Sequence, residues 1–180
     1  MDKGKQQIAR AYFEQHIDRI GDWCVGDIRR CCRLRNDGQY EHGGALIGAF
    51  ILWVCSLDYL GGLLTNSHHD YAKRIKSYLD KYFNQSKNPN EHIYDLKQII
   101  EFRNGIIHSY SPNYALLSKA SKEMHLTEVN GRTFLVLEEI VADSERAFKN
   151  FKKDLLSNDQ MLITAFNYYK KYPPVGPLEL

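Results

Sequence analysis

Residues 43–64 read GGALIGAFILWVCSLDYLGGLL, and this stretch decides the fold. It is apolar apart from Ser56 and Asp58. Its length is close to that of a transmembrane helix. A helix that is apolar all round either crosses a membrane or fills the centre of a protein. Asp58 argues for the protein centre, as do the glycines at both ends (Gly43, Gly44, Gly61, Gly62). The segments on either side are amphipathic, and their apolar stripes need a buried partner. The expectation is a fully buried core helix over about 43–64, with no membrane.

The segments around it are helical too. Upstream, Phe13, Ile17, Ile20, Cys24, Ile28, Cys31 and Leu34 recur at steps of three and four, which is one helical face. This predicts a helix over about 4–35, weakened at Gly21 and Gly26 and ended by Asn36-Asp37-Gly38. Downstream, after a loop at 65–69, Asp70 can cap a helix over about 70–83. Its stripe is Tyr71, Ile75, Tyr78 and Tyr82, with Lys73, Arg74, Lys76 and Lys81 mostly off it. A polar loop at 84–90 leads to a helix over about 91–109, stopped by Ser111-Pro112.

The pattern then changes. Residues 124–137 read as a β-hairpin about Asn130-Gly131. Two more helices follow, at about 138–156 and 159–171, and Pro173-Pro174 opens a loose tail over 173–180. The predicted fold is mainly α: an up-and-down helical bundle with a small β-hairpin insertion, one domain over 1–172.

Composition narrows the function classes. The 24 basic and 22 acidic residues leave a net charge of +2, so any nucleic-acid surface must be local. Arg29, Arg30, Arg33 and Arg35 form such a cluster, which reads first as a solvated helix end. Cys24, Cys31, Cys32 and Cys55 contain no CxxC pair and read as free thiols of a reducing cytosol, without a metal. His68-His69-Asp70 reads as a surface loop and helix cap rather than a metal site. The polar N-terminus lacks the apolar run of a signal peptide. A cytoplasmic protein without a cofactor is expected.

The chemistry is concentrated in Arg103-Asn104-Gly105-Ile106-Ile107-His108. On a wheel of about 100° per residue, Leu96, Ile99, Ile100, Ile106, Ile107 and Tyr110 share one arc, with Arg103 at its middle. A charge there is costly unless it is paired. Asp58, the only formal charge in 43–64, is the carboxylate expected to approach it or an intermediate polar group. Other solutions are a cleft that binds phosphate or a second copy of the same helix. Arg103 and His108 lie about 140° apart on a straight helix. Joining them calls for a kink at Gly105 or a two-fold-related copy, and the copy is the expectation.

This stretch resembles the signature of the HEPN superfamily: an arginine, a polar residue after it, and a histidine four to six residues beyond. Arg103, Asn104 and His108 match with the four-residue spacing, over a resemblance spanning about 40–110. Tyr110 matches the tyrosine that follows the histidine in the toxins of HEPN/MNT toxin–antitoxin pairs. A second formal match, Arg35-Asn36 with His42, falls on a predicted loop. The resemblance implies a metal-independent endoribonuclease that works as a homodimer across the motif helix. Arg103 and His108 would be catalytic, with Asn104, Asp58 and Tyr110 in support. It implies an RNA substrate, a toxin or defence role, and an antitoxin or nucleotidyltransferase partner that could modify Tyr110. The other function class left open is a non-catalytic HEPN-like module that dimerises, binds RNA or regulates a partner.

Overall fold

The computed structural model describes residues 3–31, 46–84, 93–112, 115–119 and 122–173. Among them the chain forms six helices and a small three-stranded mixed sheet that precedes the last two helices. Helix α1 runs Lys3–Gly21, passes through a π turn at Asp22–Gly26 and ends as an α-helical piece, Asp27–Cys31. Gly21 and Gly26, expected only to weaken the helix without breaking its pattern, lie at the two ends of a π turn. Cys32, Arg33, Arg35, the Asn36-Asp37-Gly38 turn and His42 lie outside the described residues, as do most of the 84–90 loop and the tail from 174.

Helix α2, Leu46–Thr65, is the centre of the bundle and packs against α1, α3, α4 and α6. It is not buried all round, as the apolar run suggested. Phe50, Trp53, Val54, Leu57, Leu60 and Leu63 form the buried face. Ile47, Ile51 and Leu52 are half-buried, and Cys55 is exposed. Ser56 sits between them and donates to the carbonyls of Leu52 at 2.8 Å and Cys24 at 2.7 Å. The second bond ties α2 to the π turn of α1.

Helix α3, Tyr71–Tyr78, continues as a π turn, Leu79–Phe83. Asp70 caps it as expected, its carboxylate accepting from the Lys73 amide at 2.8 Å. Ile75, Tyr78 and Tyr82 are buried, while Tyr71 is only half so. α3 lies close along α2 because Gly61 has no side chain. A Cβ there would stand 2.1 Å from the Arg74 carbonyl oxygen.

The motif helix α4 is shorter than the spacing suggested, at Leu96–Ser109 rather than 91–109. Asp95 caps it, accepting from the Gln98 amide at 2.8 Å. Next to the cap, Tyr94 is fully buried and holds a polar network. Its hydroxyl donates to Asp143 at 2.7 Å and lies 3.0 Å from Nε2 of His125. His125 Nδ1 accepts from the Val136 amide at 3.0 Å, so the proton of the neutral ring resides on Nε2 and points at Tyr94. Asp143 also pairs with Arg146 at 3.0 Å. This network joins the start of α4 to the sheet and to α5.

The hairpin supplies two strands of a three-stranded sheet. β2 (Glu128–Val129) and β3 (Arg132–Val136) pair antiparallel around Asn130-Gly131, both at positive φ, as this turn requires. β1 (Ala115–Ser118) was not anticipated and pairs parallel with β3, giving the order β1-β3-β2. Met124 belongs to a short 3-10 turn, Lys122–Met124, instead of a strand. The closing helices are α5, Leu137–Ser157, and α6, Asp159–Lys171, both within one residue of expectation.

Candidate functional site

The motif occupies the last two turns of α4, where the helix emerges from the bundle. Ile99, Phe102, Gly105 and Ile106 form its buried face. Phe102 decides the helix's rotation: it is 1% exposed and packs edge-on against Phe50, with ring centroids 5.8 Å apart. Arg103 is therefore at the flank of the buried face, not its middle, and is half-buried. The arc drawn from the sequence left out Phe102, the residue that anchors the helix.

Arg103 needs no buried acid at this flank. Its guanidinium carbon lies 4.5 Å from the centroid of the Tyr71 ring, a cation–π contact from α3 to α4. Asp58 is engaged elsewhere. Its two oxygens take the Arg74 guanidinium at 2.6 and 3.1 Å, and Arg74 also donates to the Ser67 carbonyl at 3.2 Å. The expected approach of Asp58 to Arg103 is thus replaced by a pair between α2 and α3. The hydrogen bonds that Arg74 donates to Asp58 hold its guanidinium more firmly protonated than usual. Cys55, one turn before Asp58, lies within electrostatic reach of both Asp58 and Arg103.

Arg103 and His108 meet within a single chain. Arg103 Nη1 lies 3.2 Å from His108 Nε2 and 3.2 Å from Asn104 Oδ1. The helix is regular through Gly105, so neither a kink nor a second copy is needed to join them. The backbone positions do diverge as the wheel requires. The long arginine side chain crosses that angle along the solvent side of the last turn. A guanidinium only donates, so Nε2 accepts, and the ring of a neutral His108 carries its proton on Nδ1.

Asn104 and Tyr71 brace this pair. The Tyr71 hydroxyl lies 3.3 Å from Nδ2 and 3.4 Å from Oδ1 of Asn104. Tyr71 thus supports the arginine with its ring and the asparagine with its hydroxyl. Sequence reading placed it only in a buried stripe. Nothing local links Tyr71 to a residue 33 positions away, so α3–α4 packing had to reveal it. Tyr110 caps the helix in the left-handed region at φ 51 and is 65% exposed.

The second histidine pair plays a different part. His68 stacks on Tyr168 at an interplanar angle of 8° and touches Tyr172. Burial, with Lys171, His69 and Arg74 nearby, lowers its pKa. In the basic cluster, Arg29 pairs with Glu145 at 2.5 Å, and Arg30 pairs with Asp22 at 2.8 Å and Asp27 at 2.7 Å. These pairs fit the reading of a solvated helix end. Comparison with family models, with curated proteins and with solved structures finds no match for this chain.

Proposed function

We propose that this chain is a HEPN-like, metal-independent endoribonuclease with Arg103 and His108 as its catalytic pair. One observation carries the reading: the guanidinium and the imidazole Nε2 lie 3.2 Å apart at the solvent-facing end of a buried helix. They offer one fork for a phosphate and one proton acceptor next to it. His108 is exposed and Arg103 half-buried, so an RNA phosphodiester can reach both.

These groups supply the phosphate binding and the general base. The phosphate replaces His108 as the acceptor for Arg103 Nη1. Nε2 then takes the proton of the neighbouring 2′-hydroxyl as the 2′-oxygen attacks phosphorus. The bond to the 5′-oxygen breaks, and that oxygen takes its proton from the protonated His108 of a two-fold-related copy as it leaves. The products are a 2′,3′-cyclic phosphate and a 5′-hydroxyl. Arg103 stabilises the charge that builds on the phosphoryl oxygens, while Asn104 and Tyr71 hold it in place.

A second histidine as general acid would come from a two-fold-related copy. The partly exposed stripe that flanks Arg103 supports such a dimer: Ile100 and Ile107 are half-buried. Tyr110 is accessible to a nucleotidyltransferase partner of the toxin–antitoxin kind.

The test is purified protein with single-stranded RNA in EDTA, beside His108→Ala and Arg103→Ala. The expected result is cleavage by the wild type and a loss of about 10² or more in each variant. Cleavage equal in all three rejects the site. A specific observation favours the second reading, a non-catalytic interaction module. Arg103 is already engaged by Tyr71, Asn104 and His108, as a structural clamp would be. A wild type that dimerises but leaves RNA intact would select that module.

A further inference from the structure

A second polar feature lies at the centre of the bundle, away from the motif. Three side-chain polar atoms there are buried and find no hydrogen-bond partner: Trp53 Nε1, the Tyr78 hydroxyl and the Ser144 hydroxyl. They come from α2, α3 and α5. All three residues line one cavity of about 10 Å³. Trp53 is 0% exposed, Tyr78 1% and Ser144 5%.

The backbone explains why space exists at this depth. Cys24 and Phe83 also line the cavity, and each belongs to a π turn. A π turn widens its helix by one residue and disturbs the packing of the flanking side chains. Here two such turns, on α1 and α3, both contribute to the cavity wall. Ser56 already occupies the Cys24 carbonyl at 2.7 Å, which leaves the other three polar groups to find their own partner.

We infer that this cavity is a binding site for one ordered water molecule, which joins α2, α3 and α5. Its volume matches roughly one water sphere, about 10–15 Å³. The donor count also closes. The indole N–H can only donate, so the water accepts from Trp53. The two hydroxyls accept from the water's protons, or either can donate to its second lone pair. That gives the water about three bonds, typical of an internal site. The ligand is uncharged, since no Asp, Glu, Lys, Arg or His lines the cavity. Burial also keeps the Cys24 thiol protonated.

The test begins with a high-resolution crystal structure of the wild-type protein. The expected result is one isolated density peak at hydrogen-bond distance from Trp53 Nε1, Tyr78 Oη and Ser144 Oγ. No peak, or a direct bond between any two of those atoms, overturns the inference. In solution, water-oxygen magnetic relaxation dispersion counts long-lived internal waters. Ser144→Val fills the space and removes a hydroxyl, so it should hold one fewer than the wild type. An equal count overturns the site. The wild-type crystal measurement stands if the variant does not fold.

Discussion

Tyr71 shows at the residue scale how a side chain far from the motif in sequence governs it. Its ring supports the Arg103 guanidinium and its hydroxyl meets Asn104. Two substitutions separate these roles. Tyr71→Phe keeps the ring and loses the hydroxyl, so RNA cleavage should fall only a fewfold. Tyr71→Ala frees Arg103 from its platform and should lower kcat by roughly tenfold or more, since misplaced groups lose catalysis steeply. Single-turnover kinetics checks this, and equal effects of the two variants would remove the cation–π contact from the account. Arg103 and His108 were legible as a pair from the sequence. Their meeting within one chain was not, because backbone angles omit the reach of an arginine side chain.

The element scale sets where the motif sits. Gly61 lets α3 lie against α2, which brings Tyr71 to Arg103 and Arg74 to Asp58. In Gly61→Ala the new methyl meets backbone, which cannot swing aside as a side-chain tip can. Overpacking of this kind costs about 1–3 kcal/mol, which the urea midpoint measures. Asp95 starts the motif helix. Asp95→Ala should cost about 1 kcal/mol and speed amide exchange at Gln98, with the end of α4 at Ser109 unaffected. Asp70, Asp95 and Asn158, whose side chain accepts from the Met161 amide at 2.9 Å at the start of α6, follow known residue preferences for helix caps, but the start at Asp95 was misplaced. The residues before it include Ile93 and Tyr94, which continue the apolar pattern without being helical. β1 was missed because its pairing with β3 is parallel and long-range, and four residues carry little local signal.

Titration tests the whole molecule, because the core buries many ionisable groups in their neutral forms. Burial raises the Cys24 thiol to about 12 and lifts the Tyr78 and Tyr94 hydroxyls well above the ordinary tyrosine value. The folded state therefore holds these protons more tightly than the unfolded chain. Their contribution to stability is full below the unfolded values, about 8.5 for a thiol and about 10 for a phenol. It is lost as pH rises toward the folded values, at up to about 1.4 kcal/mol per pH unit for each group. The urea midpoint should be flat between about pH 7 and 8 and fall steeply above about pH 10. Tyr78→Phe should flatten that alkaline limb. A midpoint that holds level through pH 11 would contradict the burial of these groups.

The sequence by itself determined the helices, the order in which they follow, the cap at Asp70, the turn at Asn130-Gly131 and the central place of the long apolar helix. Those features depend on local periodicity and local hydrogen bonding, which neighbouring residues carry. Tertiary structure alone decided the rest. It turned α4 about Phe102, gave Asp58 to Arg74, set Tyr71 under Arg103 and paired β1 with β3. Each of these depends on which faces meet across the bundle, and the fit of side chains distant in sequence sets that.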